Sequence, residues 1–340
     1  MRCLALVLVV PLVACGSAEQ SARDLPDAQL DAGGDAGSVG SEPPTFQIVS
    51  ANLDVEPHGD VTFCFYFKTS NTTDVSIKRW VSRMSPGTRQ MILYLTASKE
   101  RSPGTMSDVA ENQCGLEASG GIAPAWAYSA RTANAELVMP SDDGEGHPVG
   151  YLIRAGQYGF IQMHYINDSD ATIHAHVELD AYAYADGVQV TRAGTFATYN
   201  RTMTLKPATP AGPTPATVQD ACTVIHDQGQ TPKFFAMTTQ TFKQGVHTAV
   251  KDGNTMVFES TNWAQPGSAS WSPPTFYVFS SDKLTYQCDY LNPTTGTITL
   301  GDNPAKDENC MAVGYYFPYS PPKDGDDNNG HFCLNSRTQY

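Results

Sequence analysis

Apolar residues in this chain recur at every second position, and long stretches spaced by three and four are absent. Val61, Phe63, Phe65 and Phe67 share one face of "VTFCFYFK". "MILYLT" from Met91, "YGFIQMHY" from Tyr158 and "TIHAHVELDAYAY" from Thr172 behave alike, as do "FYVF" at 276–279 and "MAVGYYF" at 311–317. Such alternation sends one face of an extended strand to a core and the other to water. Gly 28 and Pro 23 supply the turns between strands. The predicted class is all-β, a sandwich. A length of 340 residues suggests two domains, and the Pro-rich run "KPATPAGPTPA" (206–216) is the most linker-like stretch.

The balance of 21 Lys+Arg against 35 Asp+Glu gives a formal charge of −14, which repels phosphate backbones and disfavours nucleic acid as a partner. At the start, Arg2 precedes an apolar run ending Leu12-Val13-Ala14-Cys15. That run is too short to span a bilayer and suits a signal peptide. Its end resembles the bacterial lipobox, which implies a signal peptide over 1–15 and lipidation of Cys15. Gly16 follows in place of an Asp, so an exported protein anchored at the outer membrane, on its periplasmic or surface side, is expected. The lipid anchor is then the chain's only contact with the membrane. Residues 16–44, with Asp27, Asp31 and Asp35 among Gly, Ala and Ser, read as an acidic flexible tether. Setting aside Cys3 and Cys15 leaves Cys64, Cys114, Cys222, Cys288, Cys310 and Cys333, none in a CxxC. An even number in an oxidising compartment predicts a disulfide framework, with 15 connectivities open to six cysteines.

At "YGFIQMHYIND", Gln162 and His164 lie two apart and so face one side of a strand. The segment resembles the Gln-x-His-Tyr strand of the type II copper, ascorbate-dependent monooxygenases, the peptidylglycine α-hydroxylating and dopamine β-monooxygenase group. "AWAYSA" (125–130) and "MPSDDGEGHPVGY" (139–151) follow that family's order upstream. Downstream, "FFAMTTQTFKQG" (234–245), "ITLGDNPAKDENC" (298–310) and "YYFPY" (315–319) continue it. The resemblance implies two tandem jelly-roll-like antiparallel sandwiches, over 45–196 and 197–340, facing across a cleft. It also implies the pairs Cys64–Cys114, Cys222–Cys333 and Cys288–Cys310. Its activity would be hydroxylation of a substrate C–H at copper, with ascorbate as reductant.

The ligand positions depart from that pattern. The family's adjacent histidines correspond to Arg89 and Gln90, its His-Thr-His to Gln240-Thr241-Phe242, and its Met to Asn309. Only His164 remains where a ligand belongs. Arg89 stays protonated and has no lone pair to give. Gln and Asn oxygens suit a soft cuprous ion poorly, and Phe242 cannot coordinate. Met311, two residues past Asn309, is a possible thioether, but the imidazoles that would accompany it are missing.

Elsewhere, His174 and His176 alternate with Glu178 and Asp180 on what reads as a solvated strand face, and His247 follows the lost pair out of position. "DGDDNNG" (324–330) resembles a calcium loop but has Asn335 where a Glu is needed. The expectation is therefore a catalytically inactive, cofactor-free lipoprotein that binds a small molecule or protein in the cleft, or has a structural role. The alternative is a copper- and ascorbate-dependent monooxygenase with unusual ligation.

Overall fold

The computed structural model describes residues 42–111, 114–116, 124–321, 327 and 329–339. The leader with Cys15, the tether up to residue 41 and most of the 324–330 acidic loop lie outside these residues.

The aromatic-rich alternation of 60–68 becomes the strand Asp60–Lys68, in a five-stranded sheet. The order of that sheet is Met106–Asp108, Asp60–Lys68, Tyr158–Ile166, Thr88–Thr96, Ala125–Ala130. A four-stranded sheet in the second half orders Thr214–Thr223, Lys283–Asn292, Gly245–Asp252 and Thr255–Ser260. Between them runs an eleven-stranded sheet to which both halves contribute. Its strand Thr191–Tyr199 pairs with Val149–Ile153 on the first-half side and with Met311–Phe317 on the other. All the described strands belong to β-sheets and no α-helix occurs among the described residues, so the all-β sandwich class holds. Not every ladder is antiparallel. Thr191–Tyr199 runs parallel to both Val149–Ile153 and Gly330–Leu334.

Two hydrophobic cores sit on opposite sides of the shared sheet. The first joins Ile77, Trp80 and Leu179 of that sheet to Leu93, Tyr128 and Phe160 of the five-stranded one. The second joins Phe196, Phe234 and Tyr316 to Val250, Leu284, Tyr286 and Tyr290. Met311–Phe317 is buried at every position. Its Met311, Val313, Tyr315 and Phe317 enter the first core, while Ala312 and Tyr316 enter the second. A strand with two buried faces needs a continuous apolar run, and "MAVGYYF" supplies one. Gly314 fits here because a Cβ would come within 2.7 Å of the Phe234 ring.

The boundary between 196 and 197 falls inside the strand Thr191–Tyr199, and the residues 206–216 hold an exposed turn at 209–211 that leads into the strand Thr214–Thr223. The bridges are Cys64–Cys114, Cys222–Cys333 and Cys288–Cys310. Cys222 and Cys333 tie the four-stranded sheet to the shared one.

Candidate functional site

His164 lies on the central strand of the five-stranded sheet, with Thr62 opposite it on one neighbour and Gln90 opposite it on the other. Residues in register across a sheet share a face, so the three form one row. Gln162 and Ile92 occupy the next row on the same face. Met163 and Tyr165, one residue out of phase, are buried in the core. Thr62, Gln90, Ile92, Gln162 and His164, with Phe242, Asp302 and Pro304 from the second half, line a recess of about 200 Å³ including its open mouth.

Nε2 of His164 lies 2.8 Å from Oδ1 of Asp60. A carboxylate only accepts, so Nε2 carries the hydrogen and Nδ1 is left facing away from Asp60. Burial pushes the Asp60 carboxyl up. The His164 hydrogen bond outweighs this, with the charges of His164, Lys243 and Arg89, and holds it below its ordinary value. Lys243 Nζ stands 4.0 Å from the other Asp60 oxygen and bonds the Ala305 carbonyl at 2.9 Å.

The replaced ligand positions divide into two groups. Gln90 Nε2 donates to Gln240 Oε1 at 2.8 Å, and both residues are buried, at 5% and 4% exposure. Phe242 lines the same recess as Gln90 and His164. Arg89 does not join them. It is 44% exposed and paired with Asp168 at 2.6 Å. Asn309 also stays apart from the recess lining: its carbonyl accepts from Tyr290 Oη at 2.6 Å and its Oδ1 is enclosed without a partner. Met311, the possible thioether, is fully buried in the first core.

Glu308 anchors the turn that carries Phe242 and Lys243. Its carboxylate accepts from the backbone N–H of Phe242, from that of Gln244 at 3.0 Å and from that of Asn309 at 3.0 Å. Burial pushes Glu308 up to about 7, against the pull of those three donors and of Lys243.

The remaining histidines stay apart from the recess. His174 Nδ1 meets Asp54 at 2.6 Å, and His176 faces Glu178 at 3.7 Å. Asp180, expected on a solvated face, is instead 4% exposed, gripped by Arg83 at 2.9 Å and Gln47 at 2.7 Å. His247 lies between Asp289 at 2.9 Å and Glu259 at 3.5 Å.

The donor set does not fit a cuprous ion. It offers one imidazole already bound to a carboxylate, carboxamides, a hydroxyl, the hard carboxylate of Asp302 and a phenyl ring, with no second imidazole and no thioether. Asp60, Thr62, Lys243, Asp302 and Glu308 were not singled out by the sequence pattern. Asp60 and Thr62 alternate with Cys64 on one strand, the only local signal; their meeting with His164 depends on strand register.

No known family profile matches the chain, and no curated protein matches it. Among solved structures, similarity extends to a turret protein of an archaeal virus with a triple jelly-roll fold, at 10% identity and a TM-score of 0.18. The match covers 78% of this chain and 59% of that one, so this chain spans under two thirds of its length. The PBSX exported protein XepA is 6% identical, with a TM-score of 0.17 and coverage of 79% and 86%. A chain of the Sputnik virophage is 8% identical, with a TM-score of 0.21 and coverage of 93% and 92%. These similarities are too weak to carry a functional argument.

Proposed function

We propose that this chain is an exported, lipid-anchored binding protein on a copper-monooxygenase-like scaffold, and that it works without copper. The observation that carries the reading is the buried bond between Gln90 and Gln240. Two positions at which the resemblance expects imidazoles are occupied by amides bound to each other. Gln90 falls in the copper site expected of the first half and Gln240 in that of the second, and a metal at either position would break this buried hydrogen bond and gain only a weak oxygen donor. The three disulfides support an oxidising compartment. The lipobox-like Leu12-Val13-Ala14-Cys15 supports the anchor.

The test uses the full-length chain purified in detergent, loaded with Cu(II) and ascorbate, then treated with chelator. Elemental analysis is expected to find copper well below one per chain, and oxygen uptake no faster than in buffer. One retained copper per chain, with ascorbate-dependent oxygen uptake abolished by His164→Ala, would overturn the proposal and install the monooxygenase alternative. Cys15→Ala is expected to abolish incorporation of labelled palmitate; unchanged labelling would remove the anchor from the reading.

A further inference from the structure

Across the outer face of the four-stranded sheet, Thr217, Asp289 and His247 stand in one row, each opposite the next on a neighbouring strand. Glu259, in register with Ala249, lies in the adjacent row on the edge strand Thr255–Ser260. Alternation turns these side chains away from the core that takes Val250, Tyr286 and Tyr290. The Asp289 carboxylate accepts from Thr217 Oγ1 at 2.6 Å, from Gln287 Nε2 at 2.9 Å and from His247 Nδ1 at 2.9 Å. Burial pushes the Asp289 carboxyl up, but those three hydrogen bonds outweigh it and hold the group below its ordinary value.

A carboxylate only accepts, so His247 Nδ1 carries the hydrogen and the neutral ring presents its Nε2 lone pair on the other side. That lone pair faces Glu259 Oε2 at 3.5 Å, one acceptor opposite another. Two carboxylates flank one imidazole, and among the described residues neither is paired with a Lys or Arg. By contrast, Glu178 opposite His176 is already paired with Arg83 at 3.0 Å. The gap at His247 has the span of a metal's coordination edge. Zinc holds nitrogen and carboxylate oxygen at about 2.0–2.2 Å, which at a tetrahedral angle sets the two about 3.4 Å apart. A ligating histidine passes its second N–H to a carboxylate, which fixes the tautomer and raises the basicity of the ring. Asp289 has that place here, itself held by Thr217 and Gln287. His247 is 29% exposed and Glu259 61%, so water reaches the remaining coordination positions.

We propose that His247 and Glu259 bind one divalent ion of the zinc class, with Asp289 orienting the imidazole and water completing the coordination. The ion clips the edge strand Thr255–Ser260, which pairs on one side only among the described residues, to its neighbour Gly245–Asp252. The site shares no residue with the recess around His164, so it goes beyond the copper-free reading and does not depend on it.

The probe is zinc chloride, titrated by calorimetry into the full-length chain, purified without a histidine tag, in detergent and a non-coordinating buffer at about pH 7.5. One zinc per chain is expected, with a Kd of about 100 µM or tighter. His247→Ala and Glu259→Gln should each weaken it by about tenfold or more. Without metal, Glu259→Gln should melt no lower than the parent, since an amide N–H then faces the Nε2 lone pair. A weakened ion in an equally stable variant separates binding from folding. His174→Ala removes an exposed imidazole elsewhere and should leave the zinc affinity as it is. No saturable binding tighter than about 1 mM, affinity unchanged in both site variants, or loss of the zinc on His174→Ala overturns the proposal. A chelator removes an ion held by only two protein ligands, so copper that survives it overturns the copper-free reading and not this proposal.

Discussion

Gln90 and Gln240 each use one amide end on the other, in a place that water reaches poorly. Replacing either by Leu strands its partner, and a loss of about 1–3 kcal/mol is expected in urea denaturation. The double replacement should recover part of that loss, since neither amide is then left alone. A double variant no better than the sum of the singles would mean that the bond adds nothing. Glu308 gives a second prediction. Its carboxyl is held at about 7 against an ordinary 4.5, so the fold favours its protonated form. The stabilisation is whole below pH 4.5 and is lost as pH rises through 7, amounting to about 3 kcal/mol. Glu308→Gln should remove that slope, so denaturant midpoints at pH 4.5 and pH 8 are compared between parent and variant. A slope that persists in the variant would assign the pH response to another group.

The strand Met311–Phe317 is the most demanding element, since every residue packs against a core. Gly314→Ala is expected to cost about 1–3 kcal/mol by forcing the Phe234 ring aside, measured by thermal or urea unfolding. The Cys222–Cys333 bridge closes 111 residues and Cys288–Cys310 closes 22. Removing the first as a Cys→Ala pair should therefore cost more, about 5 against 3 kcal/mol in the loop-entropy account. Much of the fold was legible at this scale. The alternation of 60–68 and 158–166 marked strands because each presents one face to a core. "MAVGYYF" was read as one more alternating strand, yet both of its faces are apolar, and a single sequence does not say that a second sheet lies behind the first. The candidate site was half legible. His164, Gln162, Gln90 and Phe242 came from motif positions and do line one recess. Thr62 and Asp60 did not, because facing His164 is a property of strand register. Arg89 was named beside Gln90, but successive strand residues point to opposite faces, and it pairs with Asp168 instead.

Both cores press on one shared sheet, and the described residues belong to one compact unit. The first core is completed from the second half by Phe235, Ala236, Met311, Val313, Tyr315 and Phe317. A single calorimetric transition is expected for the described body, with Val313→Ala in the first core and Tyr286→Ala in the second each lowering that one transition. Two resolved transitions, each moved by one variant only, would show that the halves melt independently. The same wall sets what a protease can achieve. Among the described residues every bridge closes within 64–114 or within 222–333, so none of these disulfides crosses the exposed turn at 209–211. A cut there would leave the described residues in two fragments that none of these bridges joins. They would still travel as one particle in gel filtration, because the strands from each side remain interleaved in a common sheet, and would part only when denatured.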